Sequence, residues 1–203
     1  VARLLIVLAV AGSFGIWLYL ERRARAASRD RLARARAAFL HGPGDEAPAG
    51  APGASKEVVY RGGLVRFRIP SSWLEEHGPD GGATFRDPAS GERALRLSVL
   101  SMERPGRART EDLAFDLGSL RPRSESALAT LADGHLLLKH VDAATENGRE
   151  LLLFTWQLAR SVDADRARLA VFVLTVPAEA AQDVLTLDDL RRVERAVRAA
   201  TIA

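Results

Sequence analysis

Cysteine is absent from the 203 residues, methionine occurs once and histidine four times. Without cysteine there is no disulfide, no thiolate nucleophile and no Cys-ligated metal. The histidines are His41, His77, His135 and His140, and no pair has the spacing of a helical HxxxH site. His135 and His140 lie five apart on one predicted strand and are expected on opposite faces. No Gly-x-Ser-x-Gly elbow is present. Gly62-Gly63 and Gly81-Gly82 lack the lysine of a phosphate-binding loop. These absences predict no catalytic residue, no cofactor and no metal ligand, and favour a protein that binds over one that transforms. The alternative is an envelope small-ligand receptor or hydrolase, its pocket between sheet and helices and its residues assembled from distant parts of the chain.

A net excess of one charge sign is scarce outside one stretch. The chain carries 29 basic and 26 acidic residues, a net charge of +3. Much of the excess follows one apolar run, whereas a protein that coats nucleic acid would spread it. No nucleic-acid partner is expected.

What is present is a long uncharged run, LLIVLAVAGSFGIWLYL, from Leu4 to Leu20. Its 17 residues span about 25 Å as a helix, close to a ~30 Å hydrocarbon core. Trp17 and Tyr19 stand near its end, where amphipathic rings favour the interface. Glu21, Arg22 and Arg23 follow at once, where a signal-peptide cleavage region would be small and weakly charged. Residues 1–20 therefore read as a retained single-pass anchor in an inner or plasma membrane. Arg22, Arg23, Arg25, Arg29, Arg31, Arg34 and Arg36 crowd the C-terminal flank. The positive-inside rule then places the C-terminal domain in the cytoplasm. Basic residues upstream of Val1 would reverse that sign and export the domain to a periplasm or cell surface.

Residues 21–40 contain neither proline nor glycine and are rich in alanine, so the arginine-rich flank is expected to continue as helix. Arg22, Arg23, Arg25 and Arg29 are candidate contacts to anionic lipid, each worth about 1 kcal/mol near the surface. His41 to Ser55, HGPGDEAPAGAPGAS, has no large apolar residue. Residues 41–56 read as a flexible tether spanning roughly 20 Å, beyond which a globular domain occupies 57–203.

Within that domain the pattern turns to period two. Val65, Phe67 and Ile69 share one face while Arg66 and Arg68 share the other. Pro70 closes this strand, and Ser71 to Leu74 is expected to begin a short turn of helix. Ala83–Arg86 and Ala94–Met102 give two more strands. Thr110 caps a helix carrying Leu113 and Leu117, and Ser126 to Ala132 reads as helix as well. Three long strands follow, His135–Asp142, Arg149–Arg160 and Arg168–Val176, the first two joined by the hairpin signal Asn147-Gly148. Asp163 and Asp165 read as turn residues. Apolar residues on both faces place Arg168–Val176 at the centre of the sheet. Thr186-Leu187-Asp188-Asp189 resembles a capping box opening a last helix with Leu187, Leu190, Val193, Val197 and Ala200 as its apolar stripe. The order β-β-β-α-β-β-β-α predicts an α+β fold, an antiparallel sheet of about six strands packed with helices.

LVRFRIPSSWLEE (64–76), ATFRDPASG (83–91) and ALRLSVLSM (94–102) together resemble the opening of the PsbP/Mog-like superfamily. Its domains commonly begin with a strand, a Pro-x-x-Trp turn, a short strand ending in an aromatic-x-Asp-Pro turn, and a third strand. The ending LDDLRRVERAVRAATI resembles the closing helix of bacterial members. The resemblance covers about Glu57 to Ala203. It implies a non-enzymatic accessory, since members serve as assembly factors, small-protein binders or secretion chaperones. No member's binding residues carry over residue for residue.

Two surfaces are candidate sites. Arg66, Arg68, Arg86 and Arg96 form one basic outer face if the first three strands pair as a meander, a surface for an anionic headgroup or acidic partner. Leu152, Phe154, Trp156 and Leu158 alternate with Leu151, Leu153 and Thr155, leaving both faces of that strand apolar. The strand is then either buried on both sides or, at Phe154 and Trp156, the floor of an apolar groove for a partner peptide.

Overall fold

A computed structural model describes residues 29–41, 54–79, 81–89, 92–103, 105–119 and 126–203. The apolar run 4–20, with Arg22, Arg23 and Arg25, lies outside the described residues. Among the described residues no helix is long and apolar enough to cross a membrane.

Ten strands are described, in two antiparallel sheets. The small sheet runs β1 (Ser55–Tyr60), β2 (Val65–Pro70) and β10 (Thr201–Ile202), with β2 in the middle. The large sheet has seven strands in the order β3-β4-β5-β9-β8-β7-β6. These are β3 (Leu74–His77), β4 (Ala83–Arg86), β5 (Ala94–Glu103), β6 (Ser126–Thr130), β7 (Leu136–Glu146), β8 (Arg149–Ser161) and β9 (Arg166–Pro177). The doubly apolar run Arg168–Val176 lies in β9, the middle strand. Asn147 (φ 51°) and Gly148 (φ 78°) make the two-residue turn between β7 and β8. Positive φ at both positions is what a type I′ turn requires.

Three helices cover the large sheet. Helix α2 (Thr110–Ser119) packs Leu113 and Leu117 on Leu136, Leu138, Ala159 and Leu169. The opposite face carries the main core. There α3 (Val184–Arg198) lays Leu190, Val193 and Val197 over β8 and β9, and the small sheet adds Val58, Val65, Phe67 and Ile202. Phe67 meets Phe85 and Phe172 edge-on at 5.4 and 5.3 Å, which joins the two sheets. Helix α1, residues 29–41, buries Ala35 and Phe39 in this same core, with Leu32 and Leu40 packed at its margin.

Four expectations change. Ser126–Thr130 is an edge strand, not a helix, paired from Ser126↔His140 to Thr130↔Leu136. Its alanines and leucines suit a helix locally, but the open edge of β7 offers a ladder of hydrogen bonds that propensity does not weigh. Pro70 to Trp73 forms a single turn, the Trp73 N–H donating to the Pro70 carbonyl at 3.1 Å, and Leu74 continues as strand. Strand β1 begins inside the stretch read as tether and pairs with β2 along its whole length, so the fold has more strands than six. Finally, α3 starts at Val184 after Asp183, which makes no side-chain cap, and Thr186 and Asp189 lie buried inside the helix. They are not its cap, because Arg93 engages both of them.

Candidate functional site

On the main face of the large sheet, β8 turns Phe154 and Trp156 into the core, where both are fully buried. Helix α1 packs directly on them. Phe39 stands edge-on to both rings, with centroids 5.3 Å from Phe154 and 4.9 Å from Trp156. The helix can do this because Ala35 and Phe39, one turn apart, share a face with Leu32, whereas Arg34, Ala37 and Ala38 point outward. Burial of one phenylalanine side chain contributes about 1.5–3 kcal/mol. Arg36 adds a donor from Nη2 to the Val141 carbonyl at 3.2 Å.

A charged cluster sits against this aromatic trio. Lys139 Nζ lies 2.9 Å from Glu194 Oε2 and 4.5 Å from the centroid of Phe39, a cation–π position. The Trp156 indole N–H donates to Glu194 Oε2 at 2.5 Å, and Arg198 Nε donates to Oε1 at 2.7 Å. Burial alone would raise the Glu194 carboxyl. Lys139, Trp156 and Arg198 outweigh it and hold the group below the usual glutamate value. These three donors favour the charged carboxylate, which in turn ties Trp156, Lys139 and Arg198 together. Periodicity could not reveal it. Lys139 and Glu194 lie on elements distant in sequence, and only the position of Lys139 on an inward-facing row with Leu137 and Val141 hints that its charge needs a partner.

A second buried ion pair holds the far end of α3. Arg93 Nη1 approaches Asp189 Oδ2 at 3.2 Å and donates to Thr186 Oγ1 at 3.2 Å. Burial pushes the Asp189 carboxyl up, against the pull of Arg93. Nearby at the surface, Arg149 bridges Glu92 at 2.7 Å and Glu179 at 3.0 Å.

The four sheet arginines do not form one face. Arg66 and Arg68 project from β2, whose neighbours are β1 and β10, whereas Arg86 and Arg96 project from β4 and β5 of the large sheet. The meander fails because β1 and β10 take both edges of β2. Arg68 is also drawn to Ser55, Nε to Oγ at 3.2 Å. Arg29 is exposed at the start of the described part of α1. His135 precedes β7 and bonds Asp133, while His140 lies on β7 with Nε2 3.4 Å from Asp142 Oδ2. Burial pulls the His140 imidazole down and Asp142 only partly restores it. Among the described residues no three His, Asp or Glu side chains stand close enough to hold a metal ion.

No protein-family model and no curated protein matches the sequence. Solved structures do match. A Bacteroides thetaiotaomicron protein aligns over 73% of this chain at 14% identity and a TM-score of 0.49, and the present chain spans only 48% of its length. The Ran-binding protein Mog1p of Saccharomyces cerevisiae aligns over 74% of this chain and 96% of its own, at 13% identity and a TM-score of 0.45. Cyanobacterial PsbP (CyanoP) from Synechocystis aligns over 79% and 100%, at 16% identity and a TM-score of 0.36. The chain is structurally similar to Mog1 and PsbP-like proteins. At these identities the likeness concerns the path of the chain alone.

Proposed function

We propose that this protein is a membrane-tethered, non-enzymatic binding or assembly module with a cytoplasmic domain and a protein partner. One observation carries the reading. The described part of the arginine-rich segment, residues 29–41, packs into the domain core through Ala35 and Phe39, so the chain that follows the apolar run by eight residues already belongs to the domain. The buried charges support it, since Glu194 and Asp189 are committed to Lys139, Arg198 and Arg93 within the fold. The test is to capture the full chain from detergent extracts of carbonate-washed membranes. A protein partner in stoichiometric amount is expected. Recovery of the chain in the soluble fraction overturns the tether, and recovery of lipid alone overturns the binding role.

A further inference from the structure

Large apolar side chains are exposed at few described positions, and the two most exposed are adjacent, Val184 at 73% and Leu185 at 66%. They form the outer tip of α3's first turn. Nothing in the helix requires them there. The apolar stripe that faces the core is Leu190, Val193 and Val197, with Leu187 at its margin. Leu74, 57% exposed, lies on the cross-strand row Leu74–Arg86–Ala94–Thr175 near the same end of the large sheet.

Helix α1 enters the domain at that end. Its Phe39 lies on Phe154 and Trp156, and its Arg36 reaches Val141, the strand partner of Phe154. Read backwards, the helix points toward the Asn147-Gly148 turn, and Arg31 acts electrostatically on Glu179, four residues before Asp183. Eight residues, 21–28, separate Leu20 from Arg29, and the nine steps between those two residues reach at most about 32 Å even fully extended. The opposite end, at the β8–β9 turn with Val162, is roughly 40 Å away along β8. The acidic Glu92 and Glu179 at the near end are both paired with Arg149.

We propose that Val184 and Leu185 form a lipid-contacting tip that seats the domain on the bilayer surface with the α1 entry end down. This rests on the reading of residues 1–20 as a membrane anchor. The tip enters the interfacial region, while Arg29 and Arg31 of α1, at the same end, meet anionic headgroups beside it.

The absence of cysteine allows a direct test on the full chain. Leu185→Cys and, as control, Val162→Cys are each labelled with an environment-sensitive fluorophore. Each is then reconstituted in vesicles of phosphatidylcholine with a minority of phosphatidylglycerol. The proposal expects the chain to float with the vesicles, the 185 label to shift to the blue, and doxyl-lipid quenching several-fold stronger at 185 than at 162. Equal quenching at the two positions, or stronger quenching at 162, overturns the tip while flotation leaves the anchor standing. A blue shift without lipid quenching that fades on dilution assigns the pair to a second copy of the chain and overturns the tip too. Failure to float overturns the anchor reading, and the tip with it.

Discussion

Replacing Phe39 with Ala removes the ring that meets both Phe154 and Trp156 edge-on. The expected cost is about 3 kcal/mol, in the range for large-to-small changes at buried aromatics. It should appear in urea unfolding followed by tryptophan emission. Lys139→Met leaves Glu194 short of a counter-charge in a buried place, a loss of about 1.5–3 kcal/mol. Lys139→Met with Glu194→Gln should lose less than the two single changes added, because the glutamine needs no cation, and a double-mutant cycle measures the difference. His140 makes stability depend on pH. Its folded pKa lies below the ordinary 6.5 because burial disfavours the cation. As pH falls below about 6.5 the unfolded chain takes up a proton that the folded chain refuses, so stability falls until the folded pKa is reached and is flat above 6.5. His140→Gln should remove that slope. An unchanged slope in urea midpoints between pH 5 and 7 would assign it to other groups.

Elements were legible where pattern and turn chemistry agreed. The alternation in Val65–Ile69, the Asn147-Gly148 turn and the doubly apolar run in β9 each carry their own instruction in a few neighbouring residues. Gly148→Val should therefore cost about 1–2 kcal/mol, since a β-branched side chain resists the left-handed backbone the turn needs, and thermal unfolding will read it. The elements that were missed depend on partners far along the chain. Ser126–Thr130 is a strand because β7 has a free edge, and Ser55–Tyr60 is a strand because β2 has one. The pairing of β2 with β1 and β10 also explains why Arg66 and Arg68 could not be grouped with Arg86 and Arg96, since strand order is not written in local periodicity. Thr186 and Asp189 mimic a cap in sequence, and only the approach of Arg93 shows that they belong to the helix interior. Phe154 and Trp156 were legible as apolar, but what covers them was not, because Phe39 comes from a helix whose most evident feature is its charge.

At the scale of the molecule, the seven arginines that follow the apolar run set the expected orientation. A reporter fused after Ala203 should be active in its cytosolic form, and alkaline phosphatase at that site inactive; the reverse pair of results would place the domain outside. With the tip at Val184 and Leu185 seating the domain, additions within 21–28 should leave its height above the bilayer unaltered, read by a fluorophore at residue 162 against labelled lipid, whereas the same additions beside Val184→Ser and Leu185→Ser should let it rise. Additions between 42 and 53 should leave the height unaltered. The chain leaves α1 at residue 41 and returns as β1 at Ser55, and both of these elements belong to the same packed body. Residues 42–53 lie outside the described residues, but the chain is made fast on both sides of them, like a line between two cleats. A protease site engineered into this segment would, once cut, yield two pieces that travel together through gel filtration and part only in denaturant. Separation under native conditions would show instead that α1 stays on its bed through the peptide bond alone.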